Sequence, residues 1–306
     1  MGMLDGRVAI CTGAGRGVGA EVAKLMAANG AKVMVNDPGV SGDGQGGDQS
    51  PAQQVVDEIK AAGGEAIANF GSVASYEDCL SMVGQAREEL GGCHILFNPA
   101  GILRDRMFHK MSPEDWHAVI DVHLNGHFNI SRAAINLFRE QEYGRIVMVG
   151  STSGLLGNIG QANYGSAKMG IVALARIVAM ENASKGITAN VICPSADTRM
   201  TRSVPTPKDP SVAAQREERL RRSRADAIAP LCVFLASEQS AYVNGQVFHQ
   251  RASELSLYGL PKPIRMVHAN GGWTPETIES NAMPALKNQF FDIKDARSQH
   301  PGLPLE

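Results

Sequence analysis

The sequence predicts an α/β fold in which a doubly wound, seven-stranded parallel sheet carries helices on both of its faces. Three observations indicate this class. Short apolar runs alternate with longer helix-forming runs along most of the chain, as in sheets built from repeated strand–helix units. A glycine-rich turn joins the first strand to the first helix. Polar residues follow the ends of several strands, which is where ligands bind in such sheets.

The strands are predicted from short apolar runs that are bounded by turn-forming residues. These runs end near residues 11, 37, 69, 98, 149, 193 and 248. The first run is residues 8–11, and the fifth, residues 145–149, is β-branched or Met after its arginine. Both compositions are typical of strands that are covered on both faces.

The helices are predicted from capping residues and from apolar residues at helical spacing. The first helix follows the glycine-rich turn and ends at Asn29–Gly30, a common stop signal. A long helix begins after Ser112, because serine caps a helix and the following Pro113 suits its first position. Further helices are predicted over residues 52–62, 75–91, 162–184 and 226–236.

One domain is predicted over residues 1–250, followed by a C-terminal extension, residues 251–306, that packs on the same domain. The alternation of strands and helices is interrupted at about residues 198–225, by three prolines and then by five arginines within residues 216–224. This segment is predicted to be an inserted lid. The glycine-rich segment 38–51 is predicted to be an exposed loop, either functional or merely mobile.

Composition excludes several classes of protein. The formal net charge of −2 gives no field that would favour nucleic acid or an anionic membrane, and no apolar run approaches transmembrane length. The five cysteines are scattered and form no C-x-x-C pair, which indicates buried thiols in a reducing compartment. The first strand begins close to the N-terminus, so we expect no signal peptide and a cytoplasmic protein.

The glycine-rich turn, residues 12–19 with the sequence TGAGRGVG, is predicted to bind the pyrophosphate of a dinucleotide. It lies between a strand and a helix, so backbone N–H groups and the positive end of the helix dipole converge there. Glycine leaves room for the phosphates, as in a Rossmann-type sheet. The turn residues expected to contact the cofactor are Gly13, Arg16, Gly17, Val18 and Gly19.

Asp37 ends the second strand and favours NAD over NADP. A carboxylate at this position can accept hydrogen bonds from the adenosine ribose hydroxyls. Its charge would repel the 2′-phosphate of NADP. Arg16 acts in the opposite direction, because its guanidinium could contact that phosphate, but we expect the effect of Asp37 to dominate.

Ser151, Tyr164 and Lys168 form the predicted chemical centre. Tyr164 and Lys168 are four residues apart on one helix, so both project from one face. A nearby ammonium is expected to lower the pKa of the Tyr164 phenol and make it a usable base, while Ser151 binds the substrate oxygen. Each feature alone has an ordinary structural explanation, but their occurrence in order after the glycine turn favours an active site.

These motifs together resemble the short-chain dehydrogenase/reductase family, over about residues 4–250. The resemblance implies a nicotinamide-dependent oxidoreductase that interconverts secondary alcohols and ketones. It implies that Ser151, Tyr164, Lys168 and His123 are catalytic. It also implies that the remaining cofactor contacts come from residues at other strand ends and on the helix of Tyr164: Ser72, Val73, Asn98, Ala100, Gly101, Tyr164, Lys168, Pro194, Ala196 and Thr198.

A narrower resemblance is to the (3R)-hydroxyacyl-CoA dehydrogenase domains of multifunctional enzymes type 2, a subgroup that includes type 4-like hydroxysteroid dehydrogenases. It lies in residues 35–37 with the following loop, and in 101–106, 122–124, 157–164, 199–201 and 273–276. It implies a 3-hydroxyacyl-CoA substrate and a homodimer or homotetramer built through the two long helices. His123 stands where the family usually has an asparagine, and that asparagine supports a water relay to the lysine. Pro99 and Ser195 also differ from the usual residues of the family.

Several alternatives remain at this point. His123 and His127 have a spacing that can chelate a metal, but no third ligand is evident and no metal is expected. The arginines at positions 216, 219, 221, 222 and 224 are most simply a solvated helix face, although they could contact CoA phosphates. A hydroxysteroid would instead need an apolar pocket, for which the candidate residues are Met200, Val204, Leu220 and Leu257. The alternative to an enzyme is a regulatory protein that binds a dinucleotide without catalysing a reaction.

Overall fold

The computed structural model describes residues 2–198, 202 and 209–293. Within them lies one eight-stranded sheet with the spatial order β3-β2-β1-β4-β5-β6-β7-β8. The strands are β1 Val8–Cys11, β2 Lys32–Asn36, β3 Ala66–Asn69, β4 Ile95–Asn98, β5 Gly144–Val149, β6 Ile187–Ser195, β7 Val247–Arg251 and β8 Glu254–Tyr258. The first seven strands pair in parallel, which confirms the predicted class of fold.

The helices alternate with the strands as predicted. They are α1 Gly17–Ala28, α2 Ser50–Ala61, α3 Tyr76–Leu90, α4 Pro113–Ile120, α5 Gly126–Glu140, α6 Thr152–Leu156, α7 Ala162–Asn182, α8 Pro210–Arg222, α9 Ala229–Ala236, α10 Pro275–Thr277 and α11 Met283–Leu286. A π-helical turn, Asp121–Asn125, joins α4 to α5. Such turns insert an extra residue into a helix and are frequent at functional sites.

The sheet contains one strand more than the seven predicted. β8 follows β7 after a two-residue turn in which Ala252 has a φ of 48°, and so short a connection makes the two strands antiparallel. Arg251 and Glu254 form an ion pair across this turn, with 2.6 Å between nitrogen and oxygen. The alternating apolar and polar residues of β8 fit a strand at the edge of a sheet, where the sequence alone predicts an irregular tail.

The core fills the space between the sheet and its two layers of helices. Alternate strand residues face opposite layers, so Ala9 and Cys11 pack with the cluster that includes α1, α2 and α9. On the other side, α3 packs against α5, and α5 against α7. These layers bury both faces of the parallel strands, which explains their nearly continuous apolar sequences.

The carboxyl edge of the sheet positions the predicted site. The strand order reverses between β1 and β4, which places a crevice beyond the ends of these strands. Residues 12–19 follow β1, Asp37 follows β2, Asn98 ends β4 and Ser151 follows β5. β6 extends past the predicted end at residue 193 and includes Pro194, which pairs with Gln250 of β7.

The chain divides into two compact units, the first ending at Leu257 and the second beginning at Tyr258. In the second unit, Thr274 begins the predicted short helix with a capping box that involves Thr277. Of the predicted lid, α8 is described and is capped by Asp209, whereas Met200 and Val204 lie outside the described residues. No helix in the described part of the chain is long and apolar enough to cross a membrane.

Candidate active site

The turn between β1 and α1 is packed so closely that side chains would not fit at several of its glycines. Gly13 has a φ of 55°, and a Cβ there would lie 2.6 Å from the Cα of Ala100. A Cβ on Gly19 would lie 2.4 Å from the Gly13 carbonyl oxygen. Only glycine fits contacts of this kind, so the turn and the segment after β4 form one continuous backbone surface.

The N-terminus of α1 is suited to an anion. Arg16 is its N-cap residue, and among the described residues no side chain caps the helix and no acid lies in its first turn. The first N–H groups, including those of Gly17 and Val18, therefore add to the positive end of the helix dipole. Thr198 lies beside this turn, because a Cβ on Gly17 would be 3.5 Å from its methyl carbon. A phosphate group fits these donors.

Asp37 lies at the end of β2 and faces the glycine turn. Its Oδ2 accepts a hydrogen bond from the Gly15 N–H at 3.0 Å, and its Oδ1 accepts one from Gly39 at 2.8 Å. A Cβ on Gly15 would lie 2.8 Å from Oδ2, so the carboxylate can approach only because residue 15 is glycine. Each carboxylate oxygen keeps a free lone pair that could accept a ribose hydroxyl.

Asn98 is the buried residue with the most unused hydrogen-bonding capacity at this edge. Its side chain is 1% exposed, and neither its Nδ2 nor its Oδ1 has a partner within the described residues. Thr12, where the glycine turn begins, also has a buried hydroxyl without a partner there. Buried polar groups are normally hydrogen-bonded, so these two side chains fit a polar ligand lying across the ends of β1 and β4.

The other predicted cofactor contacts surround the same crevice. Ser72 follows β3, and its N–H donates to the Asp78 carboxylate at 2.7 Å. Val73 is buried against α5, where a Cβ on Gly126 would lie 2.8 Å from its methyl carbon. Ala196 is buried just past the end of β6.

The structure brings Ser151, Tyr164 and Lys168 together. Ser151 is the N-cap residue of α6, accepting from the Ser153 N–H at 3.1 Å, and its side chain also hydrogen-bonds Tyr164. The Lys168 ammonium donates to the Val149 carbonyl oxygen at 2.7 Å and lies 5.4 Å from the centre of the Tyr164 ring. The serine therefore serves both as a helix cap and as a partner of the tyrosine.

The electrostatics of this group differ from the expectation. Burial raises the pKa of Tyr164 to about 12, and the hydrogen bond with Ser151 only partly opposes this. Burial also lowers the pKa of Lys168 to about 7, although the nearby Cys193 acts in the opposite direction. Removal from water therefore outweighs the predicted stabilisation of the phenolate, because both charged forms lose their hydration.

His123 is buried at the π-helical turn, beside the active-site tyrosine. Its ring meets the Tyr164 ring edge to face, with 5.1 Å between ring centres. Its Nε2 lies 3.1 Å from the Ile102 nitrogen and 2.8 Å from the Ile102 oxygen. A Cβ on Gly101 would lie 2.2 Å from its Cε1. The ring of His123 thus occupies the space that a side chain at position 101 would need.

His127 does not form a chelating pair with His123. Its Nδ1 lies 2.6 Å from the carbonyl oxygen of His123, so that nitrogen is used by the backbone. Its Nε2 lies 3.3 Å from the Val149 nitrogen. Burial and the neighbouring Lys168 lower its pKa to about 3. Within the described residues, no group of three His, Cys, Asp or Glu side chains could hold a metal ion.

Asp105, which is not among the predicted site residues, lies close enough to Tyr164 for its charge to raise the pKa of the phenol. Its Oδ2 accepts from the Gln161 Nε2 at 2.8 Å, while Oδ1 is buried without a partner among the described residues. Asn163 supports the same region by donating to the Arg104 carbonyl oxygen at 3.0 Å. Asp105 could have been found from the sequence, because it is a polar residue that follows the end of a strand, as several predicted site residues do.

The glycine-rich loop after β2 reaches across to the segment after β4. The Leu103 N–H donates to the Gly42 carbonyl oxygen at 2.9 Å, and the Arg104 Nε donates to that of Asp43 at 3.0 Å. At its base, the Asp48 N–H donates to the Gly39 carbonyl oxygen at 3.1 Å. Hydrogen bonds therefore hold the loop at its base and at its tip, and they connect it to the segment after β4 at the candidate site.

Several arginines of the predicted lid are paired with acids. Arg221 and Arg222 both form ion pairs with Glu218 on the same helix, and Arg224 pairs with Asp226. These side chains are exposed, as expected for the solvated helix face. The side chain of Arg219 lies outside the described part of the structure.

Comparison with known proteins agrees with this geometry. Residues 7–209 match the model of the short chain dehydrogenase family. The chain is 50% identical to Drosophila melanogaster peroxisomal multifunctional enzyme type 2, covering 97% of this chain but 47% of that protein. It is 40% identical to a Mycobacterium tuberculosis hydroxyacyl-CoA dehydrogenase, covering 90% of this chain and 87% of that protein. A short chain dehydrogenase structure from Mycobacterium avium superposes with a TM-score of 0.81 at 36% identity, covering 95% and 98% of the two chains.

Proposed function

The chain belongs to the short-chain dehydrogenase family, and on that premise we propose that it oxidises the 3-hydroxyl group of a 3-hydroxyacyl-CoA to the ketone with NAD. Oxidoreduction at a CH–OH group follows from the family. The observation that carries the proposal is the meeting of Ser151, Tyr164 and Lys168 at the carboxyl edge of the sheet. The names of relatives that act on hydroxyacyl-CoA support the substrate.

The crevice fits a dinucleotide. The uncapped start of α1 would hold the pyrophosphate, and the unpartnered amide of Asn98 would supply hydrogen bonds deeper in the crevice. Asp37 supports NAD over NADP, because within the described residues its hydrogen bonds come from backbone N–H groups and leave a lone pair on each oxygen for ribose hydroxyls. A bound NAD would supply the hydride acceptor and the positive charge of its oxidised nicotinamide.

The chain's own residues divide the remaining chemistry. Tyr164 accepts the hydroxyl proton of the substrate, and Ser151 holds the substrate oxygen through its side chain. Lys168 stabilises the phenolate electrostatically. With a Tyr164 pKa of about 12 before any ligand binds, the phenol needs added positive charge to act as a base near neutral pH. His123 is proposed to assist Tyr164 in proton transfer through its contact with the Tyr164 ring, at the position where the family usually has an asparagine.

Turnover measurements test the proposal. The protein is assayed for NADH formation with both configurations of a 3-hydroxyacyl-CoA and with a panel of hydroxysteroids, and the Tyr164→Phe variant serves as the inactive control. We expect one acyl-CoA configuration to react. Activity with steroids alone would transfer the assignment to a hydroxysteroid dehydrogenase. Binding of NAD without any turnover would instead support a regulatory module.

The lid arginines provide a test of CoA recognition. If they contact CoA phosphates, neutralising Arg216, Arg219, Arg221 and Arg222 raises the KM for acyl-CoA, and more so at low salt. The Glu218→Gln variant is the matched opposite, because it releases two of these arginines from their acid, and it should lower that KM. Unchanged KM values in both variants would leave the arginines as a solvated face and the substrate supported by the relatives alone.

We propose a homodimer or homotetramer formed through α5 and α7. The support is a set of large apolar side chains exposed on these helices: Phe128, Met169, Ile177 and Met180. Single apolar residues on a surface are ordinary, but a group on adjacent helices is typical of an interface. Light scattering at micromolar concentration tests this, and a monomer would contradict it.

A cytoplasmic location also remains our prediction. All five cysteines are buried free thiols, which supports a reducing compartment. Localisation of the tagged full-length protein in its own cell type would test it, and accumulation in an oxidising compartment would contradict it.

A further inference from the structure

We propose that His127 is a positioning residue that fixes the carboxyl end of β5, so that the Val149 carbonyl oxygen holds the Lys168 ammonium beside Tyr164. This inference rests on the proposed role of Lys168 in catalysis. His127 lies on α5, outside the group of residues that contact Tyr164 or the glycine turn. Its side chain is 1% exposed, so its ring atoms have only protein around them.

The two ring nitrogens of His127 connect the π-helical turn to the end of β5. Nδ1 is 2.6 Å from the His123 carbonyl oxygen, and only an N–H donor can make that contact. Nε2 is 3.3 Å from the Val149 nitrogen, which is itself a donor. The neutral form with its proton on Nδ1 satisfies both contacts at once, because it donates at one nitrogen and accepts at the other.

The position of this contact links it to the lysine. The ladder between β4 and β5 ends with Asn98 opposite Met148, so its last hydrogen bond runs from the Val149 N–H to the Asn98 carbonyl oxygen. The ring of His127 provides a second acceptor for the same N–H, at 3.3 Å. The carbonyl oxygen of the same residue accepts from Lys168 at 2.7 Å. Movement of Val149 would therefore move an acceptor of the Lys168 ammonium.

Burial, and after it the charge of Lys168, keep the ring in this neutral form. Lys168 on α7 is the charged group that lowers the pKa of His127, whereas the backbones of His123 at the π-helical turn and of Asn98 on β4 act in the opposite direction. A proton on Nε2 would place a donor against the Val149 N–H and a positive charge near the ammonium. His127 thus contributes a fixed acceptor and does not exchange protons near neutral pH.

A matched pair of variants separates this role from ordinary packing. His127→Leu removes both hydrogen bonds while keeping a side chain of similar bulk. His94→Leu is the control, because His94 Nδ1 also accepts a strand N–H, that of Val8 at 3.0 Å, at the opposite edge of the sheet. His127→Gln retains an acceptor that can reach Val149. His127→Asn retains a donor for the His123 carbonyl but is too short to reach Val149.

The readout is the titration of Lys168 in protein labelled with carbon-13 at lysine, with the signal assigned by its loss in Lys168→Arg. It requires neither cofactor nor substrate, so it stands even if no turnover is found. We expect His127→Leu and His127→Asn to lower the pKa of Lys168 by at least about half a unit, because a fixed acceptor of the charged form is weakened. His127→Gln and His94→Leu should titrate as the parent does.

The activity profile provides the second readout. In the NAD-linked oxidation, the acidic limb of kcat against pH should move to higher pH in His127→Leu and His127→Asn, since the phenolate loses support. A parental Lys168 titration in either variant would overturn the inference, as would an equal change in His94→Leu. Should His127→Leu fail to fold, the comparison of His127→Asn with His127→Gln decides the matter. Failure of the proposed function would appear separately, as an inactive parent.

Discussion

Substitution of Gly101 by alanine tests whether the ring of His123 is fixed in the site. The added Cβ would lie 2.2 Å from Cε1 and 3.0 Å from each ring nitrogen. The ring cannot move away freely, because Nε2 is held by the backbone of Ile102 and the ring packs on Tyr164. Overpacking of this kind costs about 1–3 kcal/mol of the free energy of unfolding.

Equilibrium urea denaturation at fixed protein concentration measures this cost. With an m-value of about 2–3 kcal/mol per molar, the midpoint of Gly101→Ala should fall by about 0.3–1.5 M. Gly84→Ala is the matched control, because a Cβ at Gly84 in α3 meets no atom within 4 Å. That change should be neutral or stabilising by about 0.5–1 kcal/mol, since alanine forms helix better than glycine.

A double-mutant cycle identifies the partner. In a His123→Ala background the ring is absent, so the cost of Gly101→Ala should fall by at least about 1 kcal/mol. Gly84→Ala should cost the same in both backgrounds. Additive effects of Gly101→Ala and His123→Ala, or a harmless Gly101→Ala in the parent, would refute the reasoning that His123 is held against this glycine.

Three further predictions follow from the site. Tyr164→Phe should abolish turnover while NAD binding, measured by calorimetry, survives; Lys168→Ala should weaken both, and retained activity in the phenylalanine variant would require another base. Asp37→Asn should lower the ratio of kcat/KM for NAD to that for NADP, because it removes the charge that repels the 2′-phosphate; an unchanged ratio would contradict this. Because the pKa of His127 is about 3 when folded against an ordinary value of 6.5, the unfolded chain binds more protons between these values and stability should fall on acidification below pH 6.5. His127→Gln should reduce that slope by up to about 1.4 kcal/mol per pH unit, and an unaltered slope would show that other groups cause it.

The fold was largely predictable because its signals are local. Apolar runs bounded by turn residues predicted β1 to β7, and capping residues such as Ser75 and Ser112 begin helices as expected, each accepting the N–H three residues on. β8 was not predicted, because its residues alternate and have no continuous apolar run. Its existence depends on a two-residue turn and on pairing with β7, which a local pattern does not specify.

The candidate site was predictable where the spacing of residues along one helix determines their geometry. It was not predictable where the geometry depends on contacts between segments that are distant in the sequence. Tyr164 and Lys168 share a helix face, so their proximity follows from the sequence. The role of Asp105 depends on a contact with Gln161, 56 residues away. The spacing of His123 and His127 indicated a pair of side chains, whereas in the structure one ring contacts the other residue's carbonyl oxygen. The sign of the Tyr164 pKa shift depended on burial, which the sequence did not reveal.

The loop anchored by Gly42 and Asp43 has a thermodynamic consequence for the two ends of the crevice. Its base lies beside Asp37, and its tip is bonded to Leu103 and Arg104, next to the residue that contacts His123. A molecule that orders either end pays part of the entropy of ordering the other. If the proposed function holds, we expect cofactor binding at the adenosine end and substrate binding at the other end to be cooperative, each raising the affinity of the other by the same factor.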